Sequence, residues 1–217
     1  MKQIIIKNLT LQFDKKKIFA DLSFIFTSGT VTLIQGSNGA GKTCLLQCIC
    51  GIIPRFFNGE IYGAIEYQGI EVDFPRTFSF LWQEPDKQLC FPFLEEELFC
   101  GAENLGRPTN DLKSDYEMII TDFPFLQRND TQTFNLSLGQ KKILLFAGMF
   151  LKNSEVYLLD EPCAGLSEEF RQKIYSWVEK LQQRGKIIII AEHDNCGEKY
   201  GPTKNLEIKR KTENDVS

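Results

Sequence analysis

This chain of 217 residues has one histidine, no Cys-x-x-Cys pair and no excess of positive charge, and each scarcity closes off a class of function. Lysine and arginine number 25 against 29 acidic residues, a formal net charge of −4. A general nucleic-acid binder carries the opposite balance. Structural zinc sites draw on clustered Cys and His ligands. One histidine and seven cysteines without paired spacing do not supply such a set. Cys44 and Cys48 share a helical face with Cys50 close by, and they read as small thiols packing a helix. That usage suits a compartment that keeps thiols reduced. A membrane-spanning helix needs about 20 consecutive apolar residues, whereas the run Ile187-Ile188-Ile189-Ile190-Ala191 has the length of a buried strand. Met1-Lys2-Gln3-Ile4 opens directly into a strand pattern, so no secretory leader is expected. Internal repeats and low-complexity tracts are also missing. What is present, 42% hydrophobic and 25% charged residues, is the balance of one globular domain or a domain carrying a lobe.

The most specific stretch is Gly36-Ser37-Asn38-Gly39-Ala40-Gly41-Lys42-Thr43, which fits G-x-x-x-x-G-K-[ST], the P-loop or Walker A pattern. Its glycines let the backbone approach phosphates, which successive N–H groups wrap. A helix starting near Gly41 points its positive end at the same phosphates. Lys42 is expected to reach the β/γ-phosphates and the Thr43 hydroxyl to bind Mg²⁺. The context fits, with a short β-branched run at 31–34 before the loop and a helical pattern at 43–50 after it.

Val156-Tyr157-Leu158-Leu159-Asp160-Glu161 is an apolar run ending in two carboxylates, the Walker B form. A buried strand would carry Asp160 to Mg²⁺, and Glu161 could orient or deprotonate the water that attacks the γ-phosphate. His193 follows the Ile-rich strand, which would deliver it to the same sheet edge, where ligands of parallel sheets bind. There it could sense the γ-phosphate by a hydrogen bond. Asn135-Leu136-Ser137-Leu138-Gly139-Gln140-Lys141 opens a helix. By itself it reads as a capped helix start with Ser137 as N-cap, and its first turn also offers an anion-binding end.

Residues 4–7, 9–13 and 22–26 look extended, with breaks at 14–17 and 28–29. Residues 51–59, with Pro54, read as a loop, and 61–67 and 77–82 as strands. From about 94 to 150 the pattern is mostly helical, broken at 106–108 and 123–124. Strand and helix then alternate at 156–159, 168–183 and 187–191, with a last strand candidate at 205–209. An α/β core is thus interrupted by a helical insert. The expected division is a core lobe at about 1–83 and 155–210, a helical lobe at about 84–154, and a disordered polar tail at 211–217.

Together these pieces resemble the ATP-binding subunit of ABC transporters over about residues 2–209. The order carries the resemblance: Walker A at 36–43, Gln83 at the lobe boundary, an L-S-x-G-Q signature at 136–140, Walker B at 156–161, and His193. The resemblance implies a P-loop NTPase core with an N-terminal antiparallel β part and an inserted helical lobe, with ATP and Mg²⁺ as cofactors. Carried over residue by residue, Gly36, Ser37, Asn38, Gly39, Ala40, Gly41, Lys42 and Thr43 hold the nucleotide, with Phe13 stacking on adenine. Phe13 reads equally as an ordinary strand core residue. Thr43, Gln83 and Asp160 are the Mg²⁺ set, and Glu161 and His193 the catalytic pair. Ser137, Gly139 and Gln140 close over ATP bound to a second ATPase subunit. The implied partners are that second ABC ATPase subunit, identical or different, and a transmembrane coupling subunit, with no nucleic acid. The implied location is peripheral, on the cytoplasmic face of the cell membrane, reached only through partner chains. The segment Trp82-Gln83-Glu84-Pro85-Asp86-Lys87-Gln88-Leu89 is similar to the Q-loop region of energy-coupling-factor and cobalt-type importers of vitamins or metal ions. In that setting Asp86 and Glu95-Glu96-Glu97 lie near the groove that receives basic coupling helices. The three glutamates read equally as a solvated acidic face.

Three departures from the family pattern stand out. The signature's usual Gly-Gly is Leu138-Gly139, Ser167 replaces the D-loop aspartate in the segment after Pro162-Cys163-Ala164-Gly165-Leu166, and the chain ends soon after His193, so no C-terminal regulatory domain is expected. The P-loop of this chain is then expected to belong to the better equipped of two unequal sites. Two other functions compete. A degenerate ATP-binding scaffold or switch is favoured by Leu138 and Ser167 and opposed by Glu161 and His193. A soluble P-loop kinase would want lid arginines, and the order of signature, Walker B and histidine opposes it. A chromosome-maintenance ATPase would need a long heptad arm between Walker A and Walker B, which is missing.

Overall fold

Strands without apolar–polar alternation must be covered on both faces. Val156-Tyr157-Leu158-Leu159-Asp160 and Ile187-Ile188-Ile189-Ile190-Ala191 are such runs, and every residue of both is buried. They form the middle of a parallel sheet in a computed structural model that describes residues 1–14, 16–127, 130–192, 200 and 203–208. In chain order the elements are β1 (Gln3–Phe13), β2 (Lys16–Thr27), β3 (Thr30–Gln35), α1 (Lys42–Ile49), α2 (Ile52–Arg55), β4 (Glu60–Gln68), α3 (Phe74–Thr77) and β5 (Phe78–Leu81). These are followed by α4 (Leu94–Asn104), α5 (Thr109–Asp122), α6 (Leu138–Lys152), β6 (Val156–Asp160), α7 (Glu168–Gln183), β7 (Ile187–Ala191) and β8 (Thr203–Glu207).

Two sheets result. One is antiparallel in the order β2-β1-β4, and the other is parallel in the order β5-β6-β7-β3-β8. Alternate residues of the parallel strands feed two apolar clusters. Ile34, Val156, Leu158, Ile187 and Ile189 pack with α1 and the antiparallel sheet. Leu33, Tyr157, Leu159, Ile188 and Ile190 pack with residues of α4 to α7. Asp160 shares the parity of Val156 and Leu158, so the strand's own period turns it toward the α1 side.

Helix α6 begins with a reciprocal capping box. Ser137 Oγ accepts from the Gln140 N–H (3.3 Å), and the Ser137 N–H donates to Gln140 Oε1 (2.9 Å). Helix α5 is tied to the end of α7 by a buried carboxylate: Asp115 accepts from Arg107 and, at 2.6 Å, from Arg184 Nη2. The two guanidinium groups hold the Asp115 carboxyl below the usual carboxylate range in spite of its burial, which opposes them. Breaking such a buried pair by removing one partner costs about 3–5 kcal/mol.

Some expected boundaries moved. The two short strands at 4–7 and 9–13 are one strand, β1, kinked by a register shift where Asn8 adopts φ 48°. The break at 14–17 is shorter, because Lys16 and Lys17 pair with Phe13 and Gln12. The stretch 51–59 holds the short helix α2, with a cis Ile53–Pro54 bond, and the last strand is Thr203–Glu207.

Candidate nucleotide-binding site

Parallel strands deliver their C-terminal ends to one edge. Here that edge gathers the loop after β3, Gln83 after β5, Asp160 and Glu161 at the end of β6, and Glu192 after β7. The loop from Gly36 to Gly41 needs its glycines for space. A Cβ on Gly36 would fall 2.4 Å from the Ile208 carbonyl oxygen, and one on Gly41 would fall 2.5 Å from Ile18 Cγ2, where φ is 96°. Helix α1 then starts at Lys42 with its first N–H groups aimed into the loop.

Lys42 Nζ donates to the carbonyls of Gly36 (2.7 Å) and Ser37 (3.4 Å). Burial lowers the pKa of this ammonium, against the upward pull of Glu161, Asp160 and Glu192. Thr43 Oγ1 donates to Asp160 Oδ2 (2.7 Å), and Gln83 Nε2 donates to Glu161 Oε2 (3.0 Å). The Thr43 hydroxyl and the Asp160 carboxylate meet at this edge, and the Gln83 amide reaches it through its nitrogen, bonded to Glu161. A hydroxyl beside a carboxylate is a hard oxygen pair of the kind that suits Mg²⁺. Thr43 and Asp160 thus fit the ion that the family resemblance implied, whereas Gln83 turns its amide nitrogen to Glu161.

Glu161 is one of the few non-glycine residues in the left-handed region, with φ 49°. That conformation costs an L-residue roughly 1–2 kcal/mol. Three bonds hold it. The Glu161 N–H donates to the Ala191 carbonyl (3.0 Å), while the Glu161 carbonyl accepts from the Ala164 N–H (3.2 Å) and from Lys142 Nζ (2.8 Å). Sequence reasoning missed Lys142. A lysine two residues past a signature carries no local mark of where its ammonium goes.

The other candidates sit apart from this cluster or outside it. Ser37, Asn38 and Gly39 form the exposed crest of the loop, and Ala40 is buried beneath it. Phe13 is half-buried in the cluster that includes Leu11 and Ile53, and its ring edge would lie 3.0 Å from a Cβ on Gly59. The side chains that reach Gly41 are instead Ile18 and Phe19. His193 lies outside the described residues. In the signature turn Ser137 and Gln140 bond each other, Gly139 leaves 3.2 Å between a Cβ and Leu166 Cδ2, and Leu138 is 52% exposed. Ser167 caps α7, its Oγ accepting from the Phe170 N–H (3.4 Å). Serine and aspartate both serve as N-caps, so this departure keeps the helix start.

Beside Gln83, the acidic stretch divides. Glu95 and Glu96 are exposed, but Glu97 is buried and accepts from the N–H groups of Cys90 (2.8 Å) and Phe91 (2.9 Å). The expectation of three surface glutamates is corrected for Glu97, because those two N–H groups need an acceptor. Asp86 pairs with Lys141 Nζ at 2.6 Å, joining the segment after Gln83 to the first turn of α6. Phe91, Phe93 and Phe134 are exposed on the same side of the insert, where Thr133 bonds the 91–92 backbone. The cysteines near the P-loop pack: Cys48 and Cys50 are buried, and burial pushes their thiols up to about 12 and about 11.

A family model described as ABC transporter matches residues 19–164. The chain belongs to that family. Among its relatives is an ABC transporter ATP-binding protein of Treponema denticola, 29% identical over 88% of this chain. Another is the energy-coupling factor transporter ATP-binding protein EcfA1 of Fusobacterium nucleatum, 27% identical over 87%. The chain spans 40% of the length of the Treponema protein and 72% of the Fusobacterium one. Among solved structures, cbiO1 of Clostridium perfringens, described as part of the ABC transporter complex cbiONQ, superposes with a TM-score of 0.70 at 26% identity, covering 88% of this chain and 78% of that one. The family is one of transporter ATP-binding proteins, with the α/β architecture and separate antiparallel sheet described above. No helix among the described residues is long and apolar enough to cross a membrane.

Proposed function

We propose that this chain binds and hydrolyses MgATP as one of two ATPase subunits that drive a transmembrane partner, in an importer of the energy-coupling-factor type for a vitamin or a metal ion. The observation that carries the reading is the convergence of Thr43 with Asp160 and of Gln83 with Glu161 at one sheet edge. The backbone of 36–43 and Lys42 would cradle the phosphates, and Mg²⁺ would supply charge neutralisation there. Glu161 is placed to orient or deprotonate water, and Gln83 links that carboxylate to the lobe boundary. The exposed signature turn, whose polar groups cap their own helix, suits contact with ATP held by a second subunit. A core lobe of about 1–83 and 155–210, with a helical lobe of about 84–154 between, follows from the same reading.

The importer type is supported by the names of the Fusobacterium and Clostridium relatives and by the surface beside Gln83. Phe91, Phe93, Glu95 and Glu96 there offer apolar and acidic contacts to a basic, partly apolar helix. A membrane-extracted, tagged full chain tests the reading. The expected result is co-purification with a second P-loop ATPase and a multi-span membrane protein, with ATP turnover that depends on Glu161. Recovery from the soluble fraction alone, with full turnover and no partner, would overturn it.

A second reading concerns balance between the two sites. Leu138 stands exposed where a close backbone approach needs no side chain. The site built on this chain's P-loop would then be the stronger, and the site served by its signature the weaker.

A further inference from the structure

Lys142 sits on α6 two residues past Gln140 and is 3% exposed. A buried ammonium needs acceptors, and it has two main-chain ones: the carbonyls of Glu161 (2.8 Å) and Ala164 (3.0 Å). These carbonyls bracket the turn 161–164, which the Ala164 N–H closes onto the Glu161 carbonyl (3.2 Å). The start of that turn is the left-handed Glu161, whose carboxylate meets Gln83 at the sheet edge. A carboxylate on a strained backbone stays in place only while the surroundings over-determine it. The Ala191 carbonyl holds the N–H side of Glu161, and the ammonium holds the carbonyl side. Burial pulls the Lys142 pKa down, while the nearby acids Glu161, Glu192 and Asp160 and the Cys163 thiol pull it up.

We propose that Lys142 is a positioning residue for ATP hydrolysis, clamping the 161–164 turn so that Glu161 is aimed at the reacting water. It acts through that carboxylate and touches no part of the nucleotide. The proposal rests on the reading that Glu161 serves hydrolysis. Because Lys142 belongs to the helix that opens with the signature, the clamp also ties that helix to the end of β6.

The test uses the full chain in its assembled complex, with kcat, KM and binding of a fluorescent ATP analogue read for each variant. Lys142→Met should lower kcat about tenfold or more, since small misplacements of reacting groups carry such losses, with KM and analogue binding held within about twofold. Lys142→Arg, which can still donate to both carbonyls, should recover part of kcat. Lys142→Met placed on Glu161→Gln should add little, because both act on one group. An unchanged kcat in Lys142→Met, an equal loss of binding and kcat, or full additivity with Glu161→Gln would each overturn the proposal. If Lys142→Met does not fold, Lys142→Gln decides by the same split. Wild-type turnover in Glu161→Gln would instead defeat the reading of Glu161, a failure distinct from loss of the Lys142 effect alone.

Discussion

The P-loop edge and the signature turn are built on opposite plans. At the P-loop edge two side-chain bonds join distant parts of the chain, Thr43 to Asp160 and Gln83 to Glu161, beside the local bonds of Lys42 to Gly36 and Ser37. In the signature turn Ser137 and Gln140 bond only three residues apart, and Leu138 stands exposed beside them. The first arrangement is preorganised by the sheet, which brings strand ends of one chain together. The second is a helix start that keeps itself intact and faces outward. The difference teaches that one chain carries both a cluster held by long-range contacts and a self-sufficient surface motif, and on the function proposed above the two would share a substrate only across a second subunit.

Four substitutions break or sharpen this contrast. Glu161→Gln should have the largest effect, a loss of about 100-fold or more in ATP turnover, the range for removing a general base. ATP binding should persist, and steady-state turnover beside equilibrium nucleotide binding checks both. Lys42→Ala should weaken ATP affinity by about 10- to 100-fold, the range for lost hydrogen bonds to a charged group. Titration with a fluorescent nucleotide measures it, and unaltered affinity would remove Lys42 from the phosphate site. Gln83→Ala frees the Glu161 carboxylate from its amide partner and should cost turnover about 2- to 10-fold, the worth of one such bond. A loss equal to that of Glu161→Gln would mean that Gln83 does more than hold Glu161. Ser137→Ala removes the α6 cap, worth about 1 kcal/mol, so the melting temperature should fall by a few degrees. In the assembled complex its turnover loss should be smaller than that of Glu161→Gln. Equal losses would mean the two sites are equivalent and the contrast false.

Much of the fold was legible. The period-free strands at 156–159 and 187–191, the helix starts at Ser137 and Ser167 and the glycine loop all follow from near neighbours in sequence. Boundaries slipped where pairing overrides local chemistry, as when Lys16 and Lys17 joined β2 across from β1. Of the candidate site, Thr43 and Asp160 were legible because loop and strand end are each marked by type and spacing. The inward turn of Glu97 was not, since Glu95, Glu96 and Glu97 are identical in type and only the unpaired N–H groups of Cys90 and Phe91 select among them. Nor was the pairing of Asp86 with Lys141.

The sequence by itself determined the phosphate loop, the carboxylates at a strand end and the order of motifs that marks an ABC ATP-binding chain. These depend on steric freedom at glycine and on side-chain period, which act over a few residues. Only the tertiary structure decided that the ammonium of Lys142 donates to the carbonyl of Glu161, and that Gln83 meets that residue's carboxylate. Long side chains can reach in many directions. Which carbonyl or carboxylate they find is set by how α6 and β5 pack against β6, and no local pattern encodes that.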